Sequence, residues 1–169
     1  VYQGIAFGKF LEVRQTDQGI YFQTTKEDFL SIWKKYFDLD RNYLKIKDIL
    51  SKDPIIKEAI MFCPGIRILQ QDFFECLISF LASQNKKIPM IQEIIENISS
   101  AFGRSISTEI SRYSFPTMEE LSSATENDFR KCKAGFRAKY MVDAVSKAKG
   151  QQFCLEEMKK LSTEELRNY

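Results

Sequence analysis

The run Arg130-Lys131-Cys132-Lys133-Ala134-Gly135-Phe136-Arg137-Ala138-Lys139 holds five basic side chains and no acidic one. Cations of this kind neutralise phosphates, and an aromatic ring held among them can stack on bases or wedge between them. Gly135 lets the backbone come close to a ligand. A solvated helix end with Phe136 tucked into the core has the same composition, and on composition alone that plainer reading is favoured. A second polar segment, Ser83-Gln84-Asn85-Lys86-Lys87, offers amides that pair with base edges and lysines that meet phosphates. An ordinary turn between two helices explains it more simply.

Other chemistry is sparse. The chain has no histidine, so the commonest general acid–base residue is missing and no base is available to pair with a cysteine nucleophile. The four cysteines, Cys63, Cys76, Cys132 and Cys154, form no CxxC pair, and neither a metal site nor a cofactor is expected. They read as four reduced thiols, with Cys76 a core residue. Asp38 and Asp40 suggest paired acids, but a helix C-terminal turn accounts for them better. Most other carboxylates fall at helix starts, where they complement the dipole. There is no Gly-rich phosphate loop and no nucleophile elbow.

The elements that position these segments can be read from pattern. At 169 residues, 44% apolar and 28% charged, the chain reads as one soluble domain or slightly more. A net charge of +2 makes no global case for nucleic acid, and no apolar stretch reaches the length of a membrane span. Val1 opens the chain without a secretory signal, as a fragment boundary would. Residues 2–7, 10–14 and 20–23 read as strands separated by Gly8-Lys9 and Asp17-Gln18-Gly19. Helices follow. Thr24 with Glu27 forms a capping box before an aromatic face of Phe29, Ile32, Trp33, Tyr36 and Phe37. Short helices cover 43–50 and start at Asp53-Pro54. Residues 72–83 are apolar on nearly every side, so a central buried helix is expected, with Leu77 and Phe80 among the most buried residues. Pro89 opens an amphipathic helix closed by Gly103. Thr117 with Glu120 and Ser162 with Glu165 start two more helices, and Gly135 separates a helix near 126–132 from one over about 136–149. The expected fold class is α+β and mostly α: the end of an antiparallel β domain over 1–25, then part of a helical domain over 26–169 with seven or eight helices and no further strands. Residue types and spacing reach no further than a mostly helical domain with one basic aromatic patch.

The order of the segments is more specific than any one of them. Tyr36-Phe37-Asp38-Leu39-Asp40 is followed by Gly65-Ile66-Arg67-Ile68-Leu69-Gln70-Gln71-Asp72-Phe73-Phe74-Glu75-Cys76-Leu77, then by Ile78-Ser79-Phe80-Leu81-Ala82-Ser83-Gln84-Asn85-Lys86-Lys87-Ile88. Phe115-Pro116-Thr117 then leads to Gly135-Phe136-Arg137-Ala138-Lys139-Tyr140. Over nearly the whole chain this series resembles the bacterial-type 8-oxoguanine DNA glycosylases of the helix-hairpin-helix superfamily.

The resemblance implies an enzyme of base-excision repair that binds double-stranded DNA containing oxidised guanine and works in the bacterial cytoplasm, associated with the nucleoid. Such an enzyme flips the damaged base out of the stack, because the reactive atom is otherwise inaccessible. It cleaves the glycosidic bond with a Schiff-base Lys assisted by an Asp, and often nicks the strand. Asn85 falls where the family's Asn fills the gap left by the flipped base, Phe136 at the wedge, and Arg137 at the arginine that contacts the estranged cytosine. Lys86, Lys87, Met90, Gly135 and Lys139 complete the expected DNA-binding set. Lys86 departs from a second Asn, and Met90 stands where eukaryotic members carry another cytosine-reading Arg. The hairpin, the catalytic Lys and the catalytic Asp are expected after residue 169, and the segment that reads the oxidised base before Val1. The chain alone is therefore expected to be inactive and to self-associate through uncovered apolar surface. An alkylated-base glycosylase and a non-catalytic helical DNA-binding or interaction module are the alternatives.

Overall fold

The computed structural model describes residues 1–107, 112–150 and 155–168, with Ser107 and Leu155 described by backbone alone. Strands β1 (Tyr2–Ala6), β2 (Lys9–Thr16) and β3 (Gly19–Gln23) form a sheet in the order β1-β2-β3. Between β1 and β2 both Phe7 and Gly8 have positive φ, 50° and 70°. Those are the two central positions of a type I′ hairpin turn, whose twist matches the flanking strands. β2 and β3 pair antiparallel in the register Thr16↔Gly19 through Glu12↔Gln23, closed by the two-residue loop Asp17-Gln18.

One continuous helical run follows: α1 (Lys26–Asp28), a π-helical turn (Phe29–Trp33) and α2 (Lys34–Tyr36). Its cap is one residue later than the sequence suggests. Thr25 accepts from the Asp28 N–H, because the Thr24 hydroxyl accepts instead from Trp33 Nε1 at 3.2 Å. After it come α3 (Tyr43–Leu50), capped by Asn42, and α4 (Pro54–Phe62), capped by Asp53 with Pro54 in the first turn. Then come α5 (Phe73–Ser83), capped by Asp72, and α6 (Ile88–Phe102). Short strands β4 (Ser105–Ser107) and β5 (Arg112–Tyr113) pair antiparallel. The chain continues through α7 (Met118–Leu121), α8 (Glu126–Lys131), a 3₁₀ turn (Gly135–Arg137), α9 (Ala138–Lys149), α10 (Leu155–Met158) and α11 (Thr163–Asn168). Thr117 with Glu120 and Thr125 with Asp128 make full capping boxes, and Ser162 with Glu165 makes the same reciprocal pair. The mixed, mostly helical class stands. The expectation of helices alone after the first sheet does not, since β4 and β5 interrupt them.

The chain divides into two compact units, 1–4 with 10–71 and 5–9 with 72–169. In the first, Phe22, Phe29, Trp33, Tyr36 and Phe37 make a chain of edge-on and tilted ring contacts around buried Trp33. In the second, α5, α6, α8 and α9 enclose Ile78, Ala82, Ile94, Ile98, Phe129, Ala138 and Met141. Here two expectations are corrected. Phe80 is 66% exposed and Leu77 only partly buried, because α5 presents the Ile78–Ala82 seam to the core rather than burying its whole circumference. Cys76 is exposed for the same reason, as is Cys63; Cys132 is the buried thiol, and Cys154 lies outside the described residues.

Candidate nucleic-acid interface

Both polar segments are turns next to helix ends of the second unit. Helix α5 ends without a glycine. Gln84 leaves the helix with ψ 117° and Asn85 adopts φ 51°. Asparagine is the residue after glycine that best tolerates this left-handed position beyond a helix C-terminus. The Lys86 N–H returns to the Ser83 carbonyl at 3.2 Å, and the Ser83 hydroxyl donates to the Phe80 carbonyl at 2.7 Å. Asn85, Lys87 and Met90 are exposed, whereas Lys86 is half-buried.

The basic run folds as a left-handed step. After α8, Lys133 has φ 67° and Gly135 φ 61°. The Lys133 N–H donates to Arg130 and the Ala134 N–H to Phe129, which turns the chain into the Gly135–Arg137 3₁₀ segment ahead of α9. Nothing lies near where a Gly135 Cβ would stand, so the requirement for glycine there is conformational rather than steric.

The two turns, 52 and 53 residues apart in sequence, are joined by Arg137. The residue is 2% exposed. Nε donates to the Gln84 carbonyl at 2.8 Å, Nη2 to the same carbonyl and to Asn85 O at 3.3 Å, and Nη1 to Ala134 O at 3.4 Å. Phe136 beside it is 53% exposed, with Arg137 Cζ 4.3 Å from the ring centroid. The plainer reading, with Phe136 tucked into the core, is thus corrected: of the neighbouring pair it is the arginine that is inside.

The positive field is smaller than the sequence suggests. Arg130 is paired with Glu126 at 2.6 Å, Lys131 with Asp128 at 3.4 Å, and Lys133 with Glu93 of α6. Lys139 lies over the Tyr140 ring at 4.8 Å. Exposed pairs of this kind contribute little to stability and can open to a competing phosphate. Lys86 and Lys87 sit on the connection into α6, and Met90 lies in its first turn.

Sequence reasoning missed Glu75. It lies in the first turn of α5 and lines a groove with Phe7, Phe74, Arg104, Phe115 and Pro116. Burial, and secondarily the charge of Asp72, push its carboxyl up to about 7. Burial raises the Cys132 thiol as well, with Asp128 adding to it, so that thiol is a poor nucleophile. Among the described residues no helix is long and apolar enough to cross a membrane.

Residues 1–77 match the family model described as 8-oxoguanine DNA glycosylase, N-terminal domain. The chain is 37% identical over 102 residues to the N-glycosylase/DNA lyase OGG1 of Arabidopsis thaliana, covering 59% of this chain and 27% of that protein. It is 39% identical over 116 residues to the N-glycosylase/DNA lyase of Saccharomyces cerevisiae, covering 67% and 31%. Among solved structures, the 8-oxoguanine glycosylase/lyase of Clostridium acetobutylicum bound to double-stranded DNA with cytosine opposite 8-oxoguanine superimposes with a TM-score of 0.91 at 43% identity. That match covers 99% of this chain and 58% of the other. The 3-methyladenine DNA glycosylase of Archaeoglobus fulgidus, at 16% identity and a TM-score of 0.66, shares the fold alone. The chain spans under a third of the length of the curated relatives it matches.

Proposed function

Because the chain belongs to the 8-oxoguanine DNA glycosylase family, we propose that the full-length protein excises oxidised guanine from duplex DNA in base-excision repair and then nicks the abasic strand. The observation that carries the reading is the pairing of an exposed aromatic, Phe136, with the exposed amide of Asn85 on two turns tied to each other. Extruding a base costs a few kcal/mol in lost stacking and pairing. A ring inserted beside the gap restores part of the stacking, and an amide beside it supplies hydrogen bonds to unpaired edges.

The DNA-binding set we propose is Asn85, Lys86, Lys87, Met90, Gly135, Phe136, Arg137 and Lys139. Lys87 and Lys139 are exposed and suit phosphates. No lysine of this chain is assigned as the nucleophile. Residues 1–25 are proposed as the end of the β domain and 26–169 as part of the helical glycosylase domain, and the site of action as the bacterial cytoplasm, on nucleoid DNA. Phe80 and Ile88 of the second unit are exposed, as are Ile55 and Phe62 of the first. The isolated chain is therefore expected to self-associate, and a monomer by light scattering at high concentration would count against this.

The test is excision by the full-length protein on duplexes carrying 8-oxoguanine or 3-methyladenine, with borohydride trapping of the Schiff base. Excision of 8-oxoguanine with a trapped adduct is expected. Excision of the alkylated base alone would move the protein to the alkylated-base class, and binding without excision would make it a non-catalytic module.

A further inference from the structure

A lysine is an unexpected residue at position 133. Its backbone holds φ 67° just past the C-cap of α8, a conformation that glycine adopts freely and a residue with a Cβ adopts at a cost. Strain of this kind persists where the surroundings over-determine it, and it clusters at functional sites. Lys133 Nζ reaches the Glu93 carboxylate on α6, 40 residues away in sequence. Both partners flank the proposed interface. Lys133 comes three residues before Phe136. Glu93 comes three residues after Met90, on the same face of α6 and one turn further along. We propose that the pair is an exchangeable latch: on duplex DNA Lys133 leaves Glu93 for a backbone phosphate, and Glu93, standing in for that phosphate in the free protein, limits how tightly undamaged DNA is held. This rests on the reading of the protein as a DNA glycosylase.

Electrostatics favours the exchange. The side chains are 62% exposed for Lys133 and 47% for Glu93, so burial holds neither of them in place. An exposed pair of this kind is weak. A lysine that neutralises a phosphate, by contrast, also releases condensed counterions from the duplex. The neighbouring cations are placed differently. Arg130 pairs with Glu126 and Lys131 with Asp128, each within one turn of its own helix. Of these three cations Lys133 alone pairs outside α8, so opening its bridge breaks no contact within a helix. Binding to undamaged duplex rests on phosphate contacts rather than on a flipped base, so the cost of opening the latch is read there most directly.

The experiment uses the full-length protein, unmutated and as Glu93→Gln, Lys133→Gln, Lys133→Gly and the Glu93→Gln, Lys133→Gln double variant. Equilibrium binding to an undamaged duplex is measured across a salt series, with melting temperature alongside. Glu93→Gln is expected to tighten binding by about two- to fivefold, the scale of an exposed ion pair. Much of that gain should vanish when Lys133 is already Gln. Lys133→Gln should weaken binding and make the slope of log affinity against log salt shallower by about 0.9, the mark of one lost phosphate contact. Lys133→Gly relaxes the backbone, so it should melt no lower than the unmutated protein and still show the shallower slope. A lysine with a purely structural role leaves the slope unchanged in both Lys133 variants, and that result overturns the proposal. So does a Glu93→Gln variant that binds no tighter, or a gain that persists undiminished in the double variant. If the unmutated protein binds duplex DNA but excises no 8-oxoguanine, the glycosylase reading falls and the slopes still judge the latch. If it binds no duplex at all, both fall.

Discussion

The Phe136 ring lies over the Arg137 guanidinium, so an exposed aromatic is backed by a buried cation. The arrangement separates the two side chains by consequence. The ring can be removed with little loss of packing, whereas the guanidinium cannot.

Phe136→Ala in the full-length protein should change stability by no more than about 1 kcal/mol, the scale of an exposed cation–π contact. It should slow excision from duplex DNA between about fivefold and a hundredfold, the loss of one stacking contact. Thermal melting and single-turnover excision on the same variant test both halves. A loss of several kcal/mol with normal excision per folded molecule would make Phe136 a core residue.

Met90 offers no donor to a cytosine edge, whereas arginine offers five N–H groups. The unmutated protein should therefore discriminate weakly among bases opposite the lesion. Met90 is 42% exposed, so Met90→Arg can be accommodated. It should raise the preference for cytosine by roughly the 1–3 kcal/mol of a good base contact. Cleavage of paired oligonucleotides reads this directly, and a strong cytosine preference before mutation would sink the claim.

Gly103 ends α6 where backbone crosses backbone. A Cβ there would stand 1.9 Å from the Ser114 carbonyl oxygen and 2.6 Å from that of Ser99. Neither atom is the tip of a flexible side chain, so relief requires moving β5 or the last turn of α6. Gly103→Ala is expected to destabilise by about 3 kcal/mol, the upper end for overpacking. Denaturant titration would show it, and a change under about 0.5 kcal/mol would mean that the segment yields.

Glu75 makes stability depend on pH. Its carboxyl sits at about 7 in the fold against an ordinary 4.5, so between these values the folded state holds more protons than the unfolded one. The stability it contributes is fully present below the lower value and is lost as the pH rises through the upper one. Glu75→Gln removes the buried charge. It should stabilise the protein by about 1–3 kcal/mol at pH 8, after allowance for partial solvent screening. The gain should shrink as the pH is lowered towards 5. An equal effect at both pH values would trace the change to packing.

What the sequence made legible was local. Local signals in the first turn fixed the starts of α4, α7 and α11 because each depends on partners within three residues. Turn residues delimited the three strands in the same way. The face of α5 that meets the core was not legible, because nearly every residue on that helix is apolar and only its neighbours choose among them. The basic run misled for a similar reason: Glu93, which pairs with Lys133, is 40 residues away. Asn85 and Phe136 emerged from composition and resemblance together, but the burial of Arg137 depends on carbonyls at a distant helix end that no local pattern reveals.

The π-helical turn at Phe29–Trp33 bears on how the chain tolerates changes of length. Its hydrogen bond from the Lys34 N–H to the Phe29 carbonyl spans one residue more than an α-helical bond. Elsewhere in a helix, deleting a residue rotates everything beyond it by about 100° and turns buried faces outward. Here the surplus residue is already looped into the turn, so removing Ser31 would tighten the π turn to α while leaving the faces of α1 and α2 in phase. Residues 29–33 are thus where this otherwise register-locked helical run can lose one residue and keep Trp33 inside.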